Sequence, residues 1–254
     1  MRRIRVIGIG AGDPEHLTLG AVRALNETDV VFLVDKGDVA AEMRTFRLEL
    51  CQRFIDAGHP YRIVEVADPE RDRTSAAYTR AVDTWRSERV RRYEELIGGL
   101  GEDETGAFLV WGDPVIYDGT IVMLDEVLDR GLVTFDYDVI PGISSVSALA
   151  ARHRVALNRA GEAIHITPGR RLARDGLPDG VDNVVVVLDS HQAWQDVDDD
   201  VDIFWGAFVG TADEILVAGR LAEVRTSIEQ RRDEARARMG WMFDTYLLRR
   251  RTSS

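Results

Sequence analysis

The feature that most constrains this chain is a repeated alternation. A short β-branched run is followed by a turn of glycine, proline or aspartate, and then by a segment of helical period. IRVIGIG, Ile4 to Gly10, is an apolar run ending in glycines, as expected of a strand buried in a parallel sheet. It leads into LTLGAVRALNETD, where Leu17, Ala21, Val22 and Leu25 recur at the spacing of one helix face and Thr18 stands at an N-cap position. VVFLVD is a second strand ending at Asp35, followed by a helix around Glu42 to Ala57 and a strand around Tyr61 to Val66. A longer helical pattern follows, with Tyr78, Val82, Trp85, Tyr93 and Leu96 as its stripe and Arg80, Arg86, Arg89, Arg91 and Arg92 among them. GAFLVWGDP, TIVMLDEVLDRG and FDYDVIPGISS complete the alternation as strand, helix stopped by Gly131, and strand running into a helix start.

This rhythm predicts an α/β domain with a mostly parallel sheet over residues 1–157. HRVALNRAGE breaks it and is the candidate linker. AIHITPG, NVVVVLDSH and VDIFWGAFVG then read as strands, followed by EILVAGRLAEV and a terminal helix, enough for a second, smaller α/β domain over 158–254. The acidic DVDDDVD reads as a solvated loop.

Composition narrows the function classes. The net charge of −12 argues against general nucleic-acid affinity. The single cysteine, Cys51, excludes an internal disulfide and a cysteine-cluster zinc site, and no metal site is expected. No apolar run has membrane-spanning length, and MRRIRVIG enters a strand without a secretory leader pattern, so a cytoplasmic protein with no membrane partner is expected. Arginine carries nearly all the positive charge, Lys36 being the one lysine.

The opening glycines invite a dinucleotide reading, which needs G-x-G-x-x-G at the start of a helix. Gly8 and Gly10 fit, but Asp13 falls on the third position with Pro14 behind it, and an aspartate opposes a pyrophosphate there. A phosphate P-loop is weaker still, for want of Gly-Lys-Ser/Thr. In open α/β sheets ligands sit beyond the carboxyl ends of strands. Three further motifs occupy such ends: WGDPVIYDGT (Trp111 to Thr120), IPGISS (Ile140 to Ser145) and VVVVLDSH (Val184 to His191). Each alone also reads as a plain turn or helix entry, with Asp189 a cap.

Taken together and in this order, GIGAGDPEHLTLGA, WGDPVIY and PGISS resemble the tetrapyrrole methylase family over nearly the whole chain. The resemblance implies a two-domain α/β fold with S-adenosyl-L-methionine (SAM) in the cleft between the domains, a homodimer, and S-adenosyl-L-homocysteine (SAH) as product. It carries cofactor contacts to Ala11, Trp111, Gly112, Asp113, Ile116, Ser144, Ser145, Leu188 and Gly210. The chain departs from the family where Ala11 replaces the proline of a GPG loop, Trp111 the first glycine of GGDP, and Gly219-Arg220-Leu221 a Gly-Thr-Leu.

DKGD after the second strand, the long inserted Arg-rich helix at 70–97, and WGAFVGTADEILVAGRLAEV with GWMFDTYLLRR are similar to one branch of the family. That branch methylates precorrin-5 at C-1 and releases the C-11 acetyl group as acetate. Another precorrin C-methyltransferase, a nicotinamide-dependent oxidoreductase and a non-catalytic tetrapyrrole carrier stand as alternatives. Methyl transfer needs alignment, whereas deacetylation invites a general base, for which Asp35, Tyr117 and His191 are the strand-end candidates. A polycarboxylate substrate calls for arginines, and Lys36, Arg44, Arg47 and those of the long helix are available; a solvated helix balancing Glu88, Glu94 and Glu95 is the plainer reading of most of them.

Overall fold

A computed structural model describes residues 1–35, 40–67, 69, 78–197 and 200–251; at 35, 40, 41 and 78–83 it describes the backbone alone. The chain divides into two compact units, Met1–Ile143 and Ser144–Ser254.

In the first unit, strands β1 (Arg3–Gly8), β2 (Val30–Asp35), β3 (Arg62–Ala67), β4 (Thr105–Val110) and β5 (Asp136–Ile140) form one sheet in the order β3-β2-β4-β1-β5. Every described pairing in it is parallel. Helices α1 (Leu19–Asn26) and α2 (Ala40–Phe54) cover one face, where Ala21, Leu25, Leu50 and Cys51 pack on Ile7, Val31, Leu33 and Leu109. Helices α3 (Tyr78–Gly98) and α4 (Thr120–Arg130) cover the other, where Val90, Tyr93, Ile97, Met123, Leu124 and Val127 pack on Val6, Phe32, Phe108 and Val110. The near-continuous apolar strands are thus explained by burial on both faces.

The local punctuation acts as its chemistry predicts. Thr18 Oγ1 accepts the Ala21 N–H at 3.1 Å, capping α1, and Gly131 ends α4 at φ 67°. Asp13 caps too: its carboxylate accepts the Glu15 N–H at 2.9 Å and starts a short 3-10 turn, Pro14–His16. The helix of a dinucleotide fingerprint does not begin at this position.

The second unit begins with α5 (Ser145–His153) and holds β6 (Ile164–Pro168), α6 (Gly169–Asp175), β7 (Asn183–Val187), β8 (Val201–Ala207), β9 (Ile215–Arg220), α7 (Leu221–Met239) and β10 (Asp244–Arg250). Its sheet runs β6-β7-β10-β8-β9. Sequence reading placed the change of domain at 157/158. Contacts place it at Ile143/Ser144, because α5 packs against β8 and β10.

The terminal helix is followed by a strand that sequence reading missed. β10 pairs antiparallel with both β7 and β8, so DTYLLRR becomes a central strand, with Tyr246, Leu247 and Leu248 buried. The acidic run is not wholly a loop either: Val201 and Asp202 already belong to β8.

Candidate functional site

Three loops leave the carboxyl edge of the parallel sheet and are knit together through backbone. After β1 and β4, Gly10 N–H donates to the Gly112 carbonyl at 3.3 Å, and Gly112 N–H to the Gly10 carbonyl at 2.8 Å. The loop after β5 lies across them. A Cβ built on Gly142 would come 2.1 Å from the Gly112 carbonyl oxygen and 2.8 Å from the Gly8 carbonyl carbon. One built on Gly8 would come 2.5 Å from Gly142 N. Close backbone approach, rather than phosphate binding, therefore requires glycine at Gly8 and Gly142.

This edge brings together five expected cofactor contacts, Ala11, Trp111, Gly112, Asp113 and Ile116. Ala11 and Gly112 are buried; Trp111, Asp113 and Ile116 are half-buried. Asp113 Oδ1 accepts the Val115 N–H at 2.9 Å, which tightens the GDP turn. Trp111 meets Phe46 of α2 with ring centroids 5.3 Å apart, giving the edge an aromatic wall. Tyr117, in the same loop, holds φ 54° and is 49% exposed. A non-glycine residue in that region is uncommon and clusters at functional sites. Asp35 ends β2 at this edge, and its side chain lies outside the described residues.

In the second unit, Ser144 Oγ accepts the Ser147 N–H at 3.2 Å and caps α5, whose first residue is Ser145. β7 and β8 point the same way, since both pair antiparallel with β10. Leu188 and Gly210 consequently follow strands that end at one edge of the second sheet. Both strands exit through a left-handed non-glycine residue, Leu188 at φ 52° and Phe208 at φ 49°. Gly210 N–H donates to Glu214 Oε2 at 3.0 Å, and Glu214 pairs with Arg152.

Beneath Leu188 lies a polar network that sequence reading reduced to one cap. Asp189 accepts the His191 N–H at 3.0 Å, the Ala193 N–H at 2.8 Å and the Tyr246 hydroxyl at 2.7 Å. Arg232, fully buried, donates to the Asp189 carbonyl at 3.2 Å and to Asp244 at 3.0 Å, and Trp205 Nε1 reaches Asp244 at 3.1 Å. Burial raises the Asp244 carboxyl above the ordinary carboxylate range, with Arg232 pulling it back. The Tyr246 hydroxyl is raised well above its usual value by burial and by Asp189. His191 meets this network through its backbone alone, and its residue is exposed.

The arginines sort by partner. Arg44 pairs with Glu65, Arg86 with Glu126, Arg91 with Glu95 and Arg92 with Glu88, while Glu94 is taken by Arg130. Most of the Arg-rich helix is therefore the solvated, charge-balanced face. Arg89 lies over the Trp85 and Tyr93 rings, 4.9 and 5.9 Å from their centroids. Lys36 and the Arg80 side chain lie outside the described residues.

A parallel sheet with knitted, glycine-tight loops at its carboxyl edge, where open α/β sheets hold their ligands, defines the chain as an α/β protein of that class. The model of the Tetrapyrrole (Corrin/Porphyrin) Methylases matches residues 3–225, and the chain belongs to that family. It is 47% identical over 252 residues to a precorrin-6A synthase [deacetylating] from Sinorhizobium sp, covering 98% of this chain and 96% of the relative. Among solved structures it resembles a cobalamin-synthesis-related protein from Corynebacterium diphtheriae, with TM-score 0.83, 36% identity and 98% and 99% of the two chains covered. A uroporphyrin-III C-methyltransferase from Thermus thermophilus, solved with S-adenosyl homocysteine, shares the fold at TM-score 0.57 and 21% identity over 97% of this chain and 96% of that one.

Proposed function

We propose that this chain is a SAM-dependent C-methyltransferase of corrin biosynthesis, methylating precorrin-5 at C-1 with loss of the C-11 acetyl group as acetate to give precorrin-6A. The observation that carries this reading is near-full-length similarity to the Sinorhizobium precorrin-6A synthase, at 47% identity.

The residues at the sheet edge fit SAM. The loops present a carboxylate at Asp113 and an apolar wall at Trp111 and Phe46, and SAM carries no phosphate. When bound, SAM supplies an electrophilic methyl group; the chain's part is to hold donor and ring carbon in line. Ala11, Trp111, Gly112, Asp113, Ile116, Ser144, Ser145, Leu188 and Gly210 are the cofactor contacts in this reading. Asp35 at the end of β2, and Tyr117 and His191 in the loops after β4 and β7, are its candidates for the proton transfer of deacetylation. No helix among the described residues is long and apolar enough to cross a membrane, which accords with a cytoplasmic enzyme. Assembly as a homodimer completes the proposal and is tested by sedimentation.

The functional test incubates purified protein with SAM and precorrin-5 and measures SAH and acetate. Equimolar SAH and acetate are expected. Methyl transfer without acetate would reassign the chain to a sister methyltransferase, and absence of both products would sink the reading. Asp113→Ala, which removes the clamp on the GDP turn, is expected to weaken SAH binding about tenfold in calorimetry.

A further inference from the structure

Strands β2 and β4 are neighbours whose chains leave the sheet in opposite directions. β2 leads to α2 on one face and β4 to α4 on the other, which makes the gap between their carboxyl ends a topological switch point. The pairing confirms that they part there. The β2–β4 register runs Val30↔Gly106, Val31↔Ala107 and Phe32↔Phe108 and then stops, although β2 continues to Asp35 and β4 to Val110. Carbonyls alternate in direction along a strand. Val110's faces β1, where it accepts the Ile9 N–H at 2.9 Å, so Leu109's faces the opened gap.

Arg47 fills that gap from α2, its Nε donating to the Leu109 carbonyl at 2.9 Å. Arg44 on the same helix, and Arg86, Arg91 and Arg92 on α3, are all engaged with glutamates. Arg47 is half-buried and forms no ion pair with any described residue. Its two Nη groups make no hydrogen bond to a described residue, yet neither is sealed from solvent. Asp118 and Tyr93 favour its charge electrostatically without a hydrogen bond to it, and Asp118 Oδ1 accepts the Thr120 N–H at 2.8 Å. Desolvation pulls the guanidinium's pKa down, and a sequestered charge ordinarily has a partner. Beside it, Phe46 and Trp111 form the aromatic wall of the same edge.

We infer that Arg47 is a built carboxylate receptor at the β2/β4 switch point, its Nη fork awaiting a carboxylate of the bound small molecules. Nε anchored on Leu109 sets the guanidinium plane, which leaves the terminal nitrogens for a paired contact. The inference rests on the methyltransferase reading above, in which two molecules bring carboxylates: the tetrapyrrole through its acetate and propionate arms, and SAM through its methionyl group.

The test compares wild type, Arg47→Gln and Arg47→Lys, measuring SAH affinity by calorimetry and kcat and KM for precorrin-5. Loss of a charge-assisted contact is expected to weaken one partner about tenfold to a hundredfold in Arg47→Gln. Arg47→Lys keeps the charge but not the fork and should recover part of the loss. A raised precorrin-5 KM with unchanged SAH affinity assigns the contact to the tetrapyrrole; weakened SAH binding assigns it to the cofactor. An Arg47→Gln protein within twofold of wild type in both constants overturns the inference. Should that variant not fold, phenylglyoxal labelling of wild type decides: protection of Arg47 by precorrin-5 or SAH supports the assignment, and unchanged labelling overturns it. A wild-type protein that neither binds SAH nor releases acetate would instead sink the functional reading itself.

Discussion

Replacing Gly142 with alanine tests whether the three loops of the first unit are packed as described. The added methyl would sit 2.1 Å from the Gly112 carbonyl oxygen and 2.8 and 2.9 Å from Gly8 backbone carbons. A carbon meets a carbonyl oxygen comfortably at about 3.3 Å or more, so the loops must part by roughly 1 Å. These are backbone atoms of two other strand ends, and no flexible side chain can yield for them. Overpacking of this kind costs about 1–3 kcal/mol, and the overlap places this case near the upper figure. The reduced freedom of the unfolded chain returns about 0.5–1 kcal/mol. A net loss of about 2 kcal/mol lowers Tm by about 4–8 °C in a chain of this size. Gly58→Ala is the matched control, since a Cβ there meets nothing within 4 Å and the residue does not hold positive φ. Differential scanning calorimetry on both variants, with SAH titrations, reads the result. If Gly142→Ala melts within 2 °C of the control (a margin set by the roughly 2–4 °C expected per kcal/mol) and binds SAH equally well, the loop packing is wrong.

Two further outcomes follow from buried groups. Asp244→Ala strands the Arg232 guanidinium in the second core, at an expected cost of about 3–5 kcal/mol by denaturant unfolding; a loss under 1 kcal/mol would mean Arg232 is hydrated. Burial pushes the Cys51 thiol up to about 11 from an ordinary 9.0. The raised folded-state value means its contribution is present below pH 9.0 and is lost as pH climbs toward about 11. At about 1.4 kcal/mol per unit, wild type should lose roughly 2–3 kcal/mol more than Cys51→Ala over that window. Parallel pH–stability curves for the two proteins would contradict the burial argument.

The chain's element types were legible in its sequence because they depend on neighbours. IRVIGIG, VVFLVD and GAFLV became buried parallel strands, Thr18 capped α1 and Gly131 closed α4. The motifs GIGAGDP, WGDPVIY and PGISS were legible as loops at strand ends, and GIGAGDP, WGDPVIY and the PG of PGISS do meet at one sheet edge. DTYLLRR was missed: apolar at only a few positions and following a helix, it carries little period of its own. Its place as a central strand comes from pairing with Val184–Val186 and Val201–Ala207, distant in sequence.

The sequence by itself determined that this is an alternating α/β chain with strand-end loops unsuited to a pyrophosphate, because turn chemistry and apolar period are local. Only the tertiary structure decided which contacts those loops make. No spacing rule could say that Gly142 must lie against Gly112, or that Asp189, Tyr246, Arg232 and Asp244 share one buried network. Nor could it single out Arg47 among the arginines. All carry the same charge in sequence, and what separates Arg44 and Arg92 from Arg47 is that folding sets a glutamate beside the first two and an open strand gap beside the third.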